Sequence, residues 1–133
     1  MRVVLDTNVF ISGVFWDGNF CSESIDAWRK GIFDIVSSLE IIEELVSTFR
    51  HFKIKMPEDF IGDWKSLLLD NAIIVRPEKI TVVKDDPDDD KFFSAALGGS
   101  AKFIISQDKH LLKIGTYAGI RVLHPSEFVK FIR

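Results

Sequence analysis

The sequence predicts an α/β fold: a mostly parallel five-stranded sheet between two layers of helices, in one domain spanning residues 1–133. Three observations lead there. Short, mostly apolar runs of four or five residues recur along the chain, as strands buried on both faces do. Helical segments alternate with them, and strict strand–helix alternation favours parallel pairing. Hydrophobic residues make up 47% of the 133, with 12 Phe against 1 Tyr, which is enough for a substantial core.

Taken in order, Arg2-Val3-Val4-Leu5 is the first strand. Thr7 to Val14 comes next as a short helix, broken by Asp17-Gly18-Asn19. Phe20 to Lys30 is the second helix, with Gly31 where a C-terminal cap belongs. Ile32 to Val36 is the second strand. Ser37 or Ser38 caps the next helix, which runs to about Phe52. Pro57-Glu58-Asp59 opens a helix that continues to Asn71, with Pro at a tolerated first position. Ala72 to Val75 is the third strand, stopped by Arg76-Pro77. Ile80 to Val83 reads as a short extra strand or an extended loop. Asp89 to Leu97 is a helix ended by Gly98-Gly99, and Lys102 to Ile105 is the fourth strand. A short helix holds Leu111-Leu112, Ile120 to Leu123 is the last strand, and Ser126 to Ile132 the last helix.

The net charge of −3 argues against a protein that coats DNA, although acids that hold cations lower the formal charge of a nucleic-acid enzyme too. A single cysteine, Cys21, rules out an internal disulfide and suits a reducing cytoplasm. No signal-peptide pattern opens the chain, and no apolar run approaches the ~20 residues that span a bilayer. The expectation is a soluble cytoplasmic protein.

Four acidic stations carry the chemistry: Asp6, Glu44, the run Asp85 to Asp90, and Asp108. Arg2-Val3-Val4-Leu5 leads into Asp6 and Phe103-Ile104-Ile105-Ser106-Gln107 into Asp108, and ligands of open α/β sheets bind beyond the carboxyl ends of the strands. The ordinary role for either is a helix N-cap. Glu44 shares its helix with Glu40 and Glu43. At ~100° per residue it lies nearest the stripe of Ile41, Ile42, Leu45, Phe49 and Phe52, while Glu40 and Glu43 turn toward solvent. The Asp run has an ordinary reading as a charged turn opening a helix, where the dipole favours acids, and Asp88 fits it. Two carboxylates ~4 Å apart nonetheless repel by about 4 kcal/mol at an effective dielectric of 20. A site for hard divalent cations explains all four stations with one cause, and such a site supports phosphodiester hydrolysis.

These residues resemble a known family, the PIN-domain ribonucleases. Val3-Val4-Leu5-Asp6-Thr7-Asn8-Val9 resembles the family's opening motif, and Glu44 matches its second acid. Asp90-Lys91-Phe92-Phe93-Ser94-Ala95-Ala96-Leu97 resembles the third motif, and Ile104-Ile105-Ser106-Gln107-Asp108 the fourth. The match runs through nearly the whole chain in the right order. It implies a parallel five-stranded sheet between helices and a negative pocket for Mg²⁺ or Mn²⁺. It also implies endonucleolytic cleavage of RNA, and small members of this kind are often toxins held inactive by a cognate antitoxin. On this reading Asp6, Glu44, Asp90 and Asp108 hold one or two ions and position the attacking water. Ser106 and Asn8 support them or touch the phosphate. Glu43 stands one position from Glu44, and Asp89 can share or replace the role of Asp90.

Other residues are given ordinary roles. His51, His110 and His124 lack metal-ligand spacing, and Cys21 is a packing residue. Trp16, Trp28 and Trp64 belong to core or interface. Arg50, His51, Lys53 and Lys55 suit a helix C-terminus better than an RNA contact. Phe15, Trp16 and Phe20 form a patch for a homodimer or an antitoxin. Two rival classes remain. A receiver-like phosphoacceptor needs an acidic pair after the first strand and an Asp after the third, where Thr7-Asn8 and Arg76-Pro77 stand. A PIN-like domain that only binds RNA or protein keeps every acid and lacks turnover.

Overall fold

The structure, a computed structural model, describes residues 1–133. Its strands are β1 (Arg2–Leu5), β2 (Asp34–Ser38), β3 (Ile73–Val75), β4 (Phe103–Ile105), β5 (Thr116–Tyr117) and β6 (Ile120–Leu123). Its helices are α1 (Thr7–Phe15), α2 (Phe20–Arg29), α3 (Leu39–His51), α4 (Glu58–Asn71), α5 (Asp90–Gly98), α6 (Lys109–Ile114) and α7 (Pro125–Ile132). The strands form one sheet in the order β3-β2-β1-β4-β6-β5. All neighbours pair in parallel except β5 with β6.

The sheet is mostly parallel, as the alternation implies, but it has six strands rather than five. The sixth, β5, is only two residues long and carries no apolar run to announce it. A tight hairpin creates it: Ala118 and Gly119 stand between Tyr117 and its partner Ile120 with φ of 50° and 81°. Two left-handed central residues match the twist of the flanking strands. Residues 32–33 fall outside β2. Gly31 (φ 78°) turns the chain, and the Ile32 N–H bonds back to the Ala27 carbonyl, so pairing with β1 begins at Asp34. Residues 80–83 are an extended loop that joins no strand.

Successive strand residues point to opposite faces, and the two faces carry separate cores. Val3, Leu5, Phe103 and Ile105 meet residues of α1, α2, α3, α4 and α7, including Phe10, Trp28, Phe49, Leu68 and Phe128. Val4, Ile104 and Val122 meet Phe92, Phe93, Ala95 and Ala96 of α5, Leu111 of α6 and Val83 of the loop. No helix is long and apolar enough to cross a membrane.

Close approach of α1 and α2 depends on Gly13. A Cβ there would stand 2.5 Å from Ile25 Cδ1 and 2.8 Å from the Cys21 carbonyl oxygen. Backbone cannot yield as a side chain does, so Gly13→Ala is expected to cost about 1–3 kcal/mol, the range for overpacking. Urea unfolding checks it; an unchanged midpoint would show that the helices separate freely.

The topology also defines a place for chemistry. From β1 the chain moves outward to β2 and β3, then returns to β4 on the other side of β1. Such a reversal opens a crevice beyond the carboxyl ends of the two central strands. Leu5 and Ile105 are partners in the ladder, so Asp6 and Ser106 emerge side by side.

An acidic pocket at the switch point of the sheet

Asp6 is 5% exposed and caps α1 with its backbone only, since its side chain makes no cap bond. Its Oδ2 instead accepts from Ser106 Oγ at 2.6 Å and from Asn8 Nδ2 at 3.1 Å. Burial pushes its pKa up from 3.8 to about 6, against the Ser106 hydrogen bond and with help from the charges of Glu44 and Asp108. The N-cap role is therefore not what holds this carboxylate in place.

Ser106 is fully buried. Its hydroxyl donates to Asp6 and accepts from the Asp108 N–H at 2.9 Å, which ties the ends of β1 and β4 together. A side chain sealed from solvent cannot touch RNA, so the expectation of a substrate contact at Ser106 gives way to a positioning role. Asn8 remains half-buried at the mouth, where its Oδ1 accepts from the Gln107 N–H at 3.3 Å. Asp108 does cap α6: its Oδ1 accepts from the His110 N–H at 2.8 Å. It also lines the same cavity as Asp6, so it caps a helix and faces the pocket at once.

Glu44 reaches the pocket from α3, half-buried, while Glu40 and Glu43 are exposed. Its Oε2 accepts from Thr7 Oγ1 at 2.6 Å, and its Oε1 stands 3.1 Å from Lys91 Nζ. Asp6, Thr7, Asn8, Glu44, Gln107 and Asp108 line a cavity of about 520 Å³, with Ile11, Ser12, Trp16 and Thr48 completing its wall.

Asp90 differs from expectation. Its Oδ1 accepts from the N–H groups of Val82 (2.9 Å) and Val83 (2.6 Å), so it pins the 80–83 loop. The neighbour that faces the other acids is Asp89, which is 8% exposed and whose Oδ2 is buried with no hydrogen-bond partner. Burial, then the charges of Asp6, Asp86 and Asp108, raise its pKa from 3.8 to about 7, opposed by Lys91. The cause of the exchange is local. Pro87–Asp89 forms a 3-10 turn ahead of α5, so Asp89 closes the turn while Asp90 opens the helix beside the 80–83 loop.

Thr7 and Lys91 were not singled out from the sequence. Thr7 carried a weak signal, one residue after Asp6 in the first turn of α1. The burial of Lys91 shows only in the structure: all residues from Lys91 to Ala96 are buried, so this stretch of the helix leaves lysine no solvated face.

The donor set suits a hard divalent cation. It is all oxygen, and one buried carboxylate oxygen lacks a partner. No three His, Cys, Asp or Glu side chains stand at joint ligating spacing. That is compatible with Mg²⁺, which commonly takes one or two carboxylates and keeps several waters.

Residues given ordinary roles fill them. His124 caps α7 through Nδ1, His51 bonds the Ser47 carbonyl, and Cys21 is buried in the core. Arg50 is paired with Glu58 at 2.9 Å. Phe15 leaves the proposed surface patch, because it packs on Phe49 and Phe52, whereas Trp16 (46%) and Phe20 (41%) stay exposed.

No curated protein matches the chain. Two solved structures share its fold. One is VapBC2 from Rickettsia felis bound to a DNA fragment from their promoter: TM-score 0.62, 14% identity, covering 93% of this chain and 98% of that one. The other is FitAB bound to an IR36 DNA fragment: TM-score 0.60, 13% identity, covering 92% and 94%. A family model described as PIN domain matches residues 2–110, through β1, the α3 acid, the Asp-rich turn and β4. The chain thus belongs to the PIN domain family.

Proposed function

We propose that this PIN domain is a divalent-metal-dependent endoribonuclease acting in the cytoplasm as the toxin of a toxin–antitoxin pair. One observation carries the reading: carboxylates from three distant parts of the chain line one cavity at the switch point, and Asp89, within reach of the charges of Asp6 and Asp108, keeps a buried oxygen unpartnered. One or two of Asp6, Asp89 and Asp108 would hold Mg²⁺ or Mn²⁺ with waters completing its shell, and Glu44 stands at the edge. The ion, when bound, supplies Lewis acidity toward water and the scissile phosphate.

The protein's own groups do the rest. Ser106 and Asn8 fix the Asp6 carboxylate, and Ser106 fixes the start of α6 through Asp108. Asn8 and exposed Gln107 offer amide N–H groups where a phosphate would enter. Trp16, partly exposed on the cavity wall beside Phe15 and Phe52, would offer an aromatic ring to an unpaired base.

The test is incubation with single-stranded RNA in Mn²⁺ or Mg²⁺, with chelator and Asp6→Asn as controls. Cleavage that needs both the ion and Asp6 is expected. RNA binding without cleavage in any metal would instead favour a binding domain without turnover.

The toxin reading rests on the family resemblance, and the chain shares the fold of VapBC2 and FitAB. Trp16 and Phe20 offer an apolar patch for an antitoxin or a second copy. Growth arrest on expression, relieved by a co-expressed partner and absent in Asp6→Asn, is the expected result. Unimpaired growth with wild-type protein accumulating would remove the toxin role.

Ser106→Ala offers a separate check on the support of Asp6. Loss of the hydroxyl frees both Asp6 Oδ2 and the Asp108 N–H, and a roughly 10–100-fold fall in metal affinity is expected, the size usual for partners of metal ligands. Mn²⁺ titration reads it, and wild-type affinity would assign Ser106 to packing alone.

A further inference from the structure

We infer that Lys91 is a built-in cation that takes the place of a second metal ion at Glu44, so that the pocket accepts one divalent ion rather than two. The inference rests on the metal-dependent reading above and specifies it. The Lys91 side chain is 7% exposed. Its ammonium stands 3.1 Å from Glu44 Oε1, donates to the Asp88 carbonyl and lies 5.0 Å from the centre of the Phe92 ring. Lysine is almost never buried this deeply unless paired, and here the pairing is with one of the pocket's own acids.

Glu44 is thereby occupied from both sides. Thr7 Oγ1 donates to one carboxylate oxygen and Lys91 faces the other. The oxygen left without a partner lies elsewhere, on Asp89. One ion placed among Asp6, Asp89 and Asp108 thus leaves Glu44 to the lysine.

The charge balance agrees. Asp6, Glu44, Asp89 and Asp108 with Lys91 carry three net negative charges when all are ionised. One divalent ion leaves a single negative charge, whereas a second would make the pocket positive. Its part is that of a positioning residue acting through Glu44.

Mn²⁺ binding, measured by calorimetry and by electron paramagnetic resonance, tests the inference without reference to activity. Wild type and Lys91→Arg are expected to bind one Mn²⁺. Lys91→Met is expected to gain a second, or to bind the first about ten-fold tighter or more, as removal of a like charge beside an ion requires. Equal stoichiometry and affinity in wild type and Lys91→Met would overturn the inference and leave the metal reading standing. Absence of Mn²⁺ from both proteins would overturn the two together. Should Lys91→Met fail to fold, the double variant Glu44→Gln/Lys91→Met removes both charges. It is expected to keep one Mn²⁺ at wild-type affinity, and loss of that ion would overturn the inference.

Discussion

Asp89→Asn is expected to lower kcat/KM for RNA by roughly 10²–10³-fold, the loss typical when one preorganised electrostatic contact to a transition state is removed. Its neighbour behaves in the opposite way. Asp90→Ala frees the Val82 and Val83 N–H groups from a charged acceptor. Hydrogen bonds to charged groups contribute about 1.5–3 kcal/mol each, so the variant should unfold at clearly lower urea. Per folded molecule it should retain most of its activity. Asp89→Asn removes a buried charge with an unpartnered oxygen and should be no less stable than wild type at pH 8. Kinetics and urea unfolding on the two variants settle the matter. Full activity in Asp89→Asn, or an inactive and fully stable Asp90→Ala, would exchange the roles of the two acids.

Without metal, the protein should be more stable near pH 4.5 than at pH 7.5. Asp6 titrates at about 6 and Asp89 at about 7 when folded, against 3.8 for a free aspartate. Between 3.8 and those values the folded chain holds protons that the unfolded chain releases, so stability falls as pH rises through this window. Both groups are more than nine-tenths buried, and a shift of two units corresponds to roughly 3 kcal/mol. The loss should therefore be on the order of 3 kcal/mol or more. It is nearly complete by pH 7.5, and protonating the pair restores the lost stability. Mn²⁺ should flatten the profile at its alkaline end, because a bound cation favours the ionised carboxylates. Urea midpoints across this range, with and without Mn²⁺, provide the measurement. A metal-free midpoint that rises or stays level from pH 4.5 to 7.5 would refute the assigned environments.

Much of the frame could be read from the chain because its signals are local. β1 and β4 are uninterrupted apolar runs, and the residue after a buried parallel strand lies at the sheet's edge. The position of Asp6 at the mouth follows from that rule, and Asp108 comes three residues after β4. Glu44 was separable from Glu40 and Glu43 because α3 is regular and strongly one-sided. What escaped was non-local or irregular. The choice between Asp89 and Asp90 depends on a 3-10 turn and on a loop eight residues upstream that claims one of them. β5 is a product of its hairpin rather than of its own side chains. Lys91 reads as a solvated residue until α5 is known to be enclosed, and Ser106 reads as a ligand contact until its burial is known.

The hydrogen bond from Ser106 to Asp6 joins residues 100 positions apart in the chain. During synthesis the first strand leaves the ribosome long before its partner exists, and the anionic pocket cannot close until β4 has docked beside β1. A partly translated chain is thus unarmed. Any nuclease activity would switch on only after β4 has left the ribosome and docked beside β1.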